Sequence, residues 1–135
     1  GQPARSLAKV ASGGELSRIS LAIQVVVAQT STTPTLVFDE VDVGISGGIA
    51  KVVGEMLRQL GETTQILCVT HQAQVAGQGH HHFRVSKRLQ SDTSVTSVMA
   101  LEGRQIVEEI ARMLAGEDLS EESLAHAHRL VANLN

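Results

Sequence analysis

Residues 35–71 read TLVFDEVDVGISGGIAKVVGEMLRQLGETTQILCVTH, and the fold turns on how this stretch is parsed. Thr35 to Phe38 is a short continuous apolar run rich in β-formers, as expected of a strand buried on both faces. It ends abruptly at Asp39 and Glu40. A glycine-containing loop follows (Val43, Gly44, Ile45, Ser46, Gly47, Gly48). Ile49, Val52, Val53, Met56, Leu57 and Leu60 then recur at helical spacing as one apolar stripe, with Gly61 at the C-cap. Gln65 to Thr70 is a second apolar strand that ends at His71. Strand, helix and strand within this length form a βαβ unit, with parallel strands and a right-handed crossover. The spacing therefore predicts an α/β fold with Asp39-Glu40 and Thr70-His71 on one edge of the sheet.

Working outward, Leu16, Ile19, Ile23, Val26 and Val27 predict a helix that starts at Ser12, where Ser12 and Glu15 match a capping box. Beyond His71, a helical turn over Ala73 to Ala76 leads into Gly77 and Gly79. Phe83 to Ser86 and Val95 to Leu101 read as a hairpin with a polar turn near Ser91 and Asp92. Two helices close the chain. The first carries Ile106, Val107, Ile110, Met113 and Leu114 and ends near Gly116; the second is N-capped by Ser120 and carries Leu124, Ala127, Val131 and Leu134.

At 135 residues the chain has room for one domain of ordinary size, and 42% hydrophobic residues exclude wholesale disorder. A net charge of −3 is no basic footprint, so a nucleic-acid role is local or lies in another part of the protein. Aromatics at 1% exclude a base-stacking platform. The single cysteine, Cys68, excludes a disulfide framework and reads as an inert core thiol that suits a reducing cytosol. No apolar stretch approaches the roughly 20 residues of a membrane span, and no signal peptide opens the chain, which points to a cytoplasmic protein with no membrane partner. Gly1 in place of Met points to a fragment or a processed piece.

Polar groups at the carboxyl ends of parallel strands are where open α/β sheets place ligands. Adjacent carboxylates there suit Mg²⁺ chemistry: one helps hold a hydrated cation while the other orients or deprotonates a water. A nearby histidine can hydrogen-bond a reacting phosphate. The same Asp-Glu pair also reads as a solvated turn. Ser12-Gly13-Gly14-Glu15, with exposed N–H groups at a helix start, suits an anion but is equally an ordinary capping box. His80, His81 and His82 lack acidic or cysteine partners at zinc spacing and read as a solvated loop. Lys87-Arg88 reads as a solvated turn. Glu108-Glu109 and Glu121-Glu122 read as acidic first turns of their helices.

The order of these features resembles the C-terminal half of an ABC-type ATPase head of the SMC-like class. ASGGELSR, FDEVDVGISG and VTHQAQVA, as they stand here, are similar to the branch of that class that repairs DNA double-strand breaks in bacteria. The resemblance is specific from about Val10 to Lys87; over the last fifty or so residues it is one of size and composition. It implies a P-loop-type α/β half-head with parallel strands flanked by helices, a short antiparallel hairpin and two C-terminal helices. It implies ATP and Mg²⁺ as ligands. Asp39 would position Mg²⁺, largely through water, Glu40 would polarise the attacking water, and His71 would contact the γ-phosphate. Ser12, Gly13, Gly14 and Glu15 would form the signature that closes on a nucleotide held by the opposite head, and Val43, Gly44, Ile45 and Ser46 the D-loop joining the two sites. Ala11 stands where the family usually has leucine. Ile45-Ser46 stands where it often has Leu-Asp, so the trans contact of that aspartate is not carried over.

A Walker A loop needs G-x-x-x-x-G-K-[ST], and none of Lys9, Lys51 and Lys87 follows a glycine. There are no coiled-coil heptads. The resemblance thus implies residues 1–135 as one C-terminal lobe, with three partners: the N-terminal Walker A lobe of the same protein, a second head joined in an ATP-dependent homodimer, and DNA through the full-length assembly. Alone, the chain is expected to be inactive. Two other readings stay open on the residues: a metal-dependent hydrolase or nuclease using Asp39, Glu40 and His71 directly, and an interaction module without turnover.

Overall fold

The computed structural model describes residues 20, 22–24, 26–28, 30, 32–39, 42–45, 47–90, 93–117 and 119–131. Ser12, Gly13, Gly14, Glu15, Glu40, Ser46 and the polar turn at 91–92 lie outside the described residues. The chain divides into two compact units, residues 1–71 and 72–135.

In the first unit, residues 20, 22–24, 26–28 and 30 are helical, as their spacing predicts, and Ala28 is buried. Strand β1 (Thr35–Asp39) pairs in parallel with β2 (Gln65–Val69), and helix α1 (Gly47–Leu60) connects them. The βαβ reading holds, and the two strands are direct neighbours.

Two expectations about burial are corrected here. β1 is not buried on both faces: Phe38 is 4% exposed, whereas its neighbour Val37 is 67% exposed. β2 alternates likewise, with Ile66 and Cys68 half-buried and Leu67 and Val69 exposed. Alternate residues of a strand point to opposite faces, so a pair of strands shielded on one side hides every second side chain. The apolar stripe of α1 also splits. Ala50, Val53, Leu57 and Leu60 are buried, while Ile49, Val52 and Met56 remain exposed. Ile23, Val26 and Val27 are exposed too. These apolar side chains stand exposed among the described residues.

The second unit contains α2 (Ala73–Ala76), the antiparallel pair β3 (His82–Gln90) and β4 (Thr93–Leu101), α3 (Arg104–Ala115) and α4 (Glu121–Leu130). The hairpin is longer than predicted, its ladder running out to Gln90 opposite Thr93. The Ser and Thr residues that interrupt the apolar pattern pair across the ladder, as Ser86 does with Ser97 at 2.8 Å, so they extend the strands rather than end them. Lys87 and Arg88 accordingly stand on a strand and not in a turn. Of the three histidines only His82 is on the strand, and its Nε2 lies 2.8 Å from the Ala76 carbonyl oxygen.

The core of this unit is Ala73, Val107, Ile110, Ala111, Ala127 and Val131, contributed by α2, α3, α4 and the residue after α4. Helix α3 ends as the sequence predicts, whereas α4 stops at Leu130 with Val131 in extended backbone, and Leu134 lies outside the described residues. Gly116 takes φ +82° beyond α3, a backbone region where a side chain is strained. Ser120 caps α4 by accepting from the Ser123 N–H at 3.1 Å, and Ser123 Oγ in turn accepts from the Ser120 N–H at 3.0 Å. Glu121 and Glu122 occupy the first turn of α4, where the helix dipole favours them.

Glu108 and Glu109 do not play that part in α3, which begins at Arg104 and has no acidic residue in its first turn. Glu109 instead accepts from Arg112 at 2.5 and 3.0 Å and faces Arg84 of β3 at 3.4 Å. The Arg112 hydrogen bonds hold the Glu109 carboxyl below the usual range against the opposing effect of burial, with the Arg112 and Arg84 charges adding to them. Helix α3 is thereby tied to the hairpin.

Candidate functional site

The register of the parallel pair sets the site. Asp39, the last residue of β1, lies opposite Val69, the last residue of β2, so both strands run out at one edge. Asp39 is exposed there. Thr70 and His71 are the next residues along β2, and Asp42 lies three beyond Asp39. The edge thus collects Asp39, Asp42, Thr70 and His71, and Glu40 follows Asp39 directly in the chain.

Asp42 is the residue that sequence reasoning missed. It is 1% exposed. Its Oδ2 accepts from the Thr70 hydroxyl and, at 2.9 Å, from the His71 backbone N–H. Its Oδ1 stands 3.2 Å from the His71 ring Nδ1. A buried carboxylate is expensive unless donors surround it, and hydrogen bonds to a charged group contribute about 1.5–3 kcal/mol each. Asp42 therefore clasps the end of β2 to the end of β1. A turn sets it in place: the Ile45 N–H donates to the Asp42 carbonyl at 3.3 Å, and Gly44 adopts φ +75°. The chain marks it only as an acidic residue between valines, three positions past the end of β1.

The other site candidates divide. His71 is at the predicted edge with its side chain 70% exposed. Val43 and Gly44 are exposed, whereas Ile45 is buried and serves packing. Asp42 is occupied by Thr70 and His71, so the edge offers Asp39 as its free carboxylate among the described residues. A single exposed carboxylate fits a hydrated Mg²⁺, which keeps most of its waters and draws its remaining ligands from phosphate, better than it fits a dehydrated all-protein cage.

Cys68 lies mid-strand in β2 and is half-buried. Burial pushes its thiol up to about 11, with the negative charges of Asp42 and Asp39 adding to the effect. Relative to the ordinary value of 9.0, this leaves about 100-fold less thiolate at neutral pH. Alkylation by iodoacetamide at pH 8 is accordingly expected to run at least ~100-fold slower in the native chain than in denaturant. Equal rates would show that the strand does not bury this thiol.

With the geometry in hand, relatives can be weighed. No family model matches the chain. "DNA repair protein RecN" of Vibrio cholerae is 56% identical over 131 residues, 97% of this chain and 24% of the relative. RecN of Xylella fastidiosa is 53% identical over 134 residues, 99% of this chain and 24% of the relative. RecN of Treponema pallidum is 47% identical over 131 residues, 97% of this chain and 23% of the relative. The chain resembles RecN across almost its whole length. That likeness takes in the C-terminal helices, where the motifs were silent. The chain spans about a quarter of the length of these RecN relatives.

A solved structure from work on ATP-driven dimerization and DNA-stimulated activation of SMC ATPases superposes with a TM-score of 0.66 at 17% identity. It covers 87% of this chain and 70% of its own. The RecN-like chain thus has the fold of an SMC ATPase. Among the described residues no helix is long and apolar enough to cross a membrane.

Proposed function

We propose that this chain is the C-terminal lobe of an SMC-like ATPase head, spanning residues 1–135, that binds and hydrolyses ATP between two dimerised heads in the service of DNA double-strand-break repair. The observation that carries this reading is the shared edge of the parallel pair, where Asp39 and the Asp42–His71 couple stand together at the strand ends. That is where open α/β sheets bind ligands.

In this reading Asp39 holds Mg²⁺ largely through water, and the ion when bound neutralises charge on the phosphates. Glu40 accepts a proton from, or orients, the attacking water. His71 presents its exposed imidazole to the γ-phosphate. Ser12, Gly13, Gly14 and Glu15 close on nucleotide held by the opposite head through N–H groups and the helix dipole, and Val43 to Ser46 run between the two sites. Phosphoryl transfer is then mainly positioning and charge stabilisation. The assembly would act near the nucleoid in the cytoplasm.

The exposed aliphatic residues support a Walker A lobe as the covering partner. Val37, Leu67 and Val69 leave one face of a parallel pair in water, a sheet type found almost always with both faces covered. In the other unit Phe83, Val85 and Val98 leave a face of the hairpin equally open.

The test is to combine the chain with an N-terminal Walker A lobe and measure Mg²⁺-dependent ATP hydrolysis, which neither piece is expected to show alone. Ser12→Arg in that assembly is expected to abolish ATP-linked head dimers on a sizing column. Dimers that persist would count against the signature role of residues 12–15. Divalent-metal binding by the chain without nucleotide would favour a metal-dependent hydrolase or nuclease instead.

A further inference from the structure

We propose that Asp42 is a positioning residue for His71: its carboxylate holds the proton on ring Nδ1 and turns Nε2 outward toward substrate. The catalytic half of this proposal rests on the ATPase reading above; the structural half does not.

Clasping the two strand ends requires one oxygen of Asp42. Oδ2 meets that need, taking the Thr70 hydroxyl and the His71 N–H. Oδ1 lies at ion-pair distance from the imidazole, 3.2 Å from Nδ1. A carboxylate cannot donate, so closing this approach into a hydrogen bond requires the proton on Nδ1. With Nδ1–H committed, Nε2 is the free nitrogen. It lies across the ring from Asp42, on a side chain that is mostly in solvent. Nε2 can then accept a proton and pass it to a phosphate oxygen. No bond to carbon, oxygen or phosphorus is made by Asp42, and its own charge does not change. A carboxylate behind a histidine commonly fixes tautomer and ring orientation in this way. Here it is itself held by one side-chain hydroxyl and one backbone N–H and is almost fully buried.

Asp42→Asn separates the clasp from the tautomer. The His71 N–H requires an acceptor, so the amide oxygen must take the Oδ2 place. The amide nitrogen then falls against ring Nδ1 and donates to it. The clasp survives while the ring proton is forced to Nε2.

In the ¹⁵N-histidine-labelled chain at pH 8.5, with His71 assigned from His71→Gln, two-bond ¹H–¹⁵N spectra should show the Nδ1–H tautomer in the wild type. They should show Nε2–H in Asp42→Asn. A predominantly Nε2–H ring in the wild type overturns the proposal whether or not the variant folds. In the assembly completed by a Walker A lobe, Asp42→Asn should lower kcat for ATP about ten- to a hundred-fold with KM within about two-fold. His71→Gln should do the same, and the double variant should do no worse than the worse single. An inverted tautomer with unchanged kcat overturns the positioning role while leaving the ATPase reading standing. A wild-type assembly that hydrolyses no ATP overturns that reading and this role together, and the ring spectrum tells that case from a failure of Asp42 alone.

Discussion

Glu40→Gln, placed in the head completed by a Walker A lobe, is expected to lower ATP turnover by about 10²–10⁴-fold while leaving ATP-dependent head association intact. Glutamine keeps the length of the side chain and one carbonyl acceptor, so a water can still be held. It cannot accept a proton, and the negative charge that polarises the water is gone. Asp39 stays in place to serve Mg²⁺, because it closes the β1–β2 ladder opposite Val69. Nucleotide should therefore still bind and still join the heads, and the variant should accumulate as an ATP-bound dimer. Steady-state hydrolysis measured beside a sizing column reads both quantities. Undiminished turnover would remove Glu40 from the role of base.

Gly77→Ala is expected to destabilise the second unit by about 2–3 kcal/mol, and the cause lies in backbone contacts. A Cβ at this position would sit 2.6 Å from the Leu130 carbonyl oxygen, 3.0 Å from its carbon and 3.1 Å from the Ala73 carbonyl oxygen. None of these is the end of a flexible side chain. Relief requires the end of α4 to move away from the residues after α2. That motion opens the core formed by Ala73, Val107, Ile110, Ala111, Ala127 and Val131. Amide hydrogen exchange should accelerate throughout α3 and α4. Gly48 in α1 is the control, since a Cβ there meets nothing within 4 Å. Gly48→Ala should be neutral or stabilising by up to about 1 kcal/mol. Equal effects of the two substitutions would mean that the close approach at Gly77 does not exist in solution.

The elements were legible because each rests on a local rule. The alternation of apolar runs with a 3.6-residue stripe announced β1, α1 and β2. Ser120, Gly116 and the spacing around Ile110 announced the last two helices. The same rules misjudged which side chains are buried. Val37 and Phe38 are neighbours of similar apolarity, yet one is exposed and the other hidden. Periodicity reports that a face is apolar, not that anything covers it. Glu109 was misread for a related reason, since its partners Arg112 and Arg84 sit on one helix turn and on a separate strand.

The candidate site shows the same division. The pairing of an acidic strand end with a Thr-His strand end could be read from the chain, because in a βαβ unit parallel strands finish on one side. Asp42 could not. Its neighbours Val41 and Val43 say nothing of Thr70 and His71, which lie 28 and 29 positions away. A one-dimensional pattern carries the backbone's local preferences and the class of its layers, since those depend on residues within a few positions of one another. Whether a carboxylate is a solvated charge or a buried clasp depends on donors brought to it by folding, and the energy that makes the difference arises when water is excluded from around it.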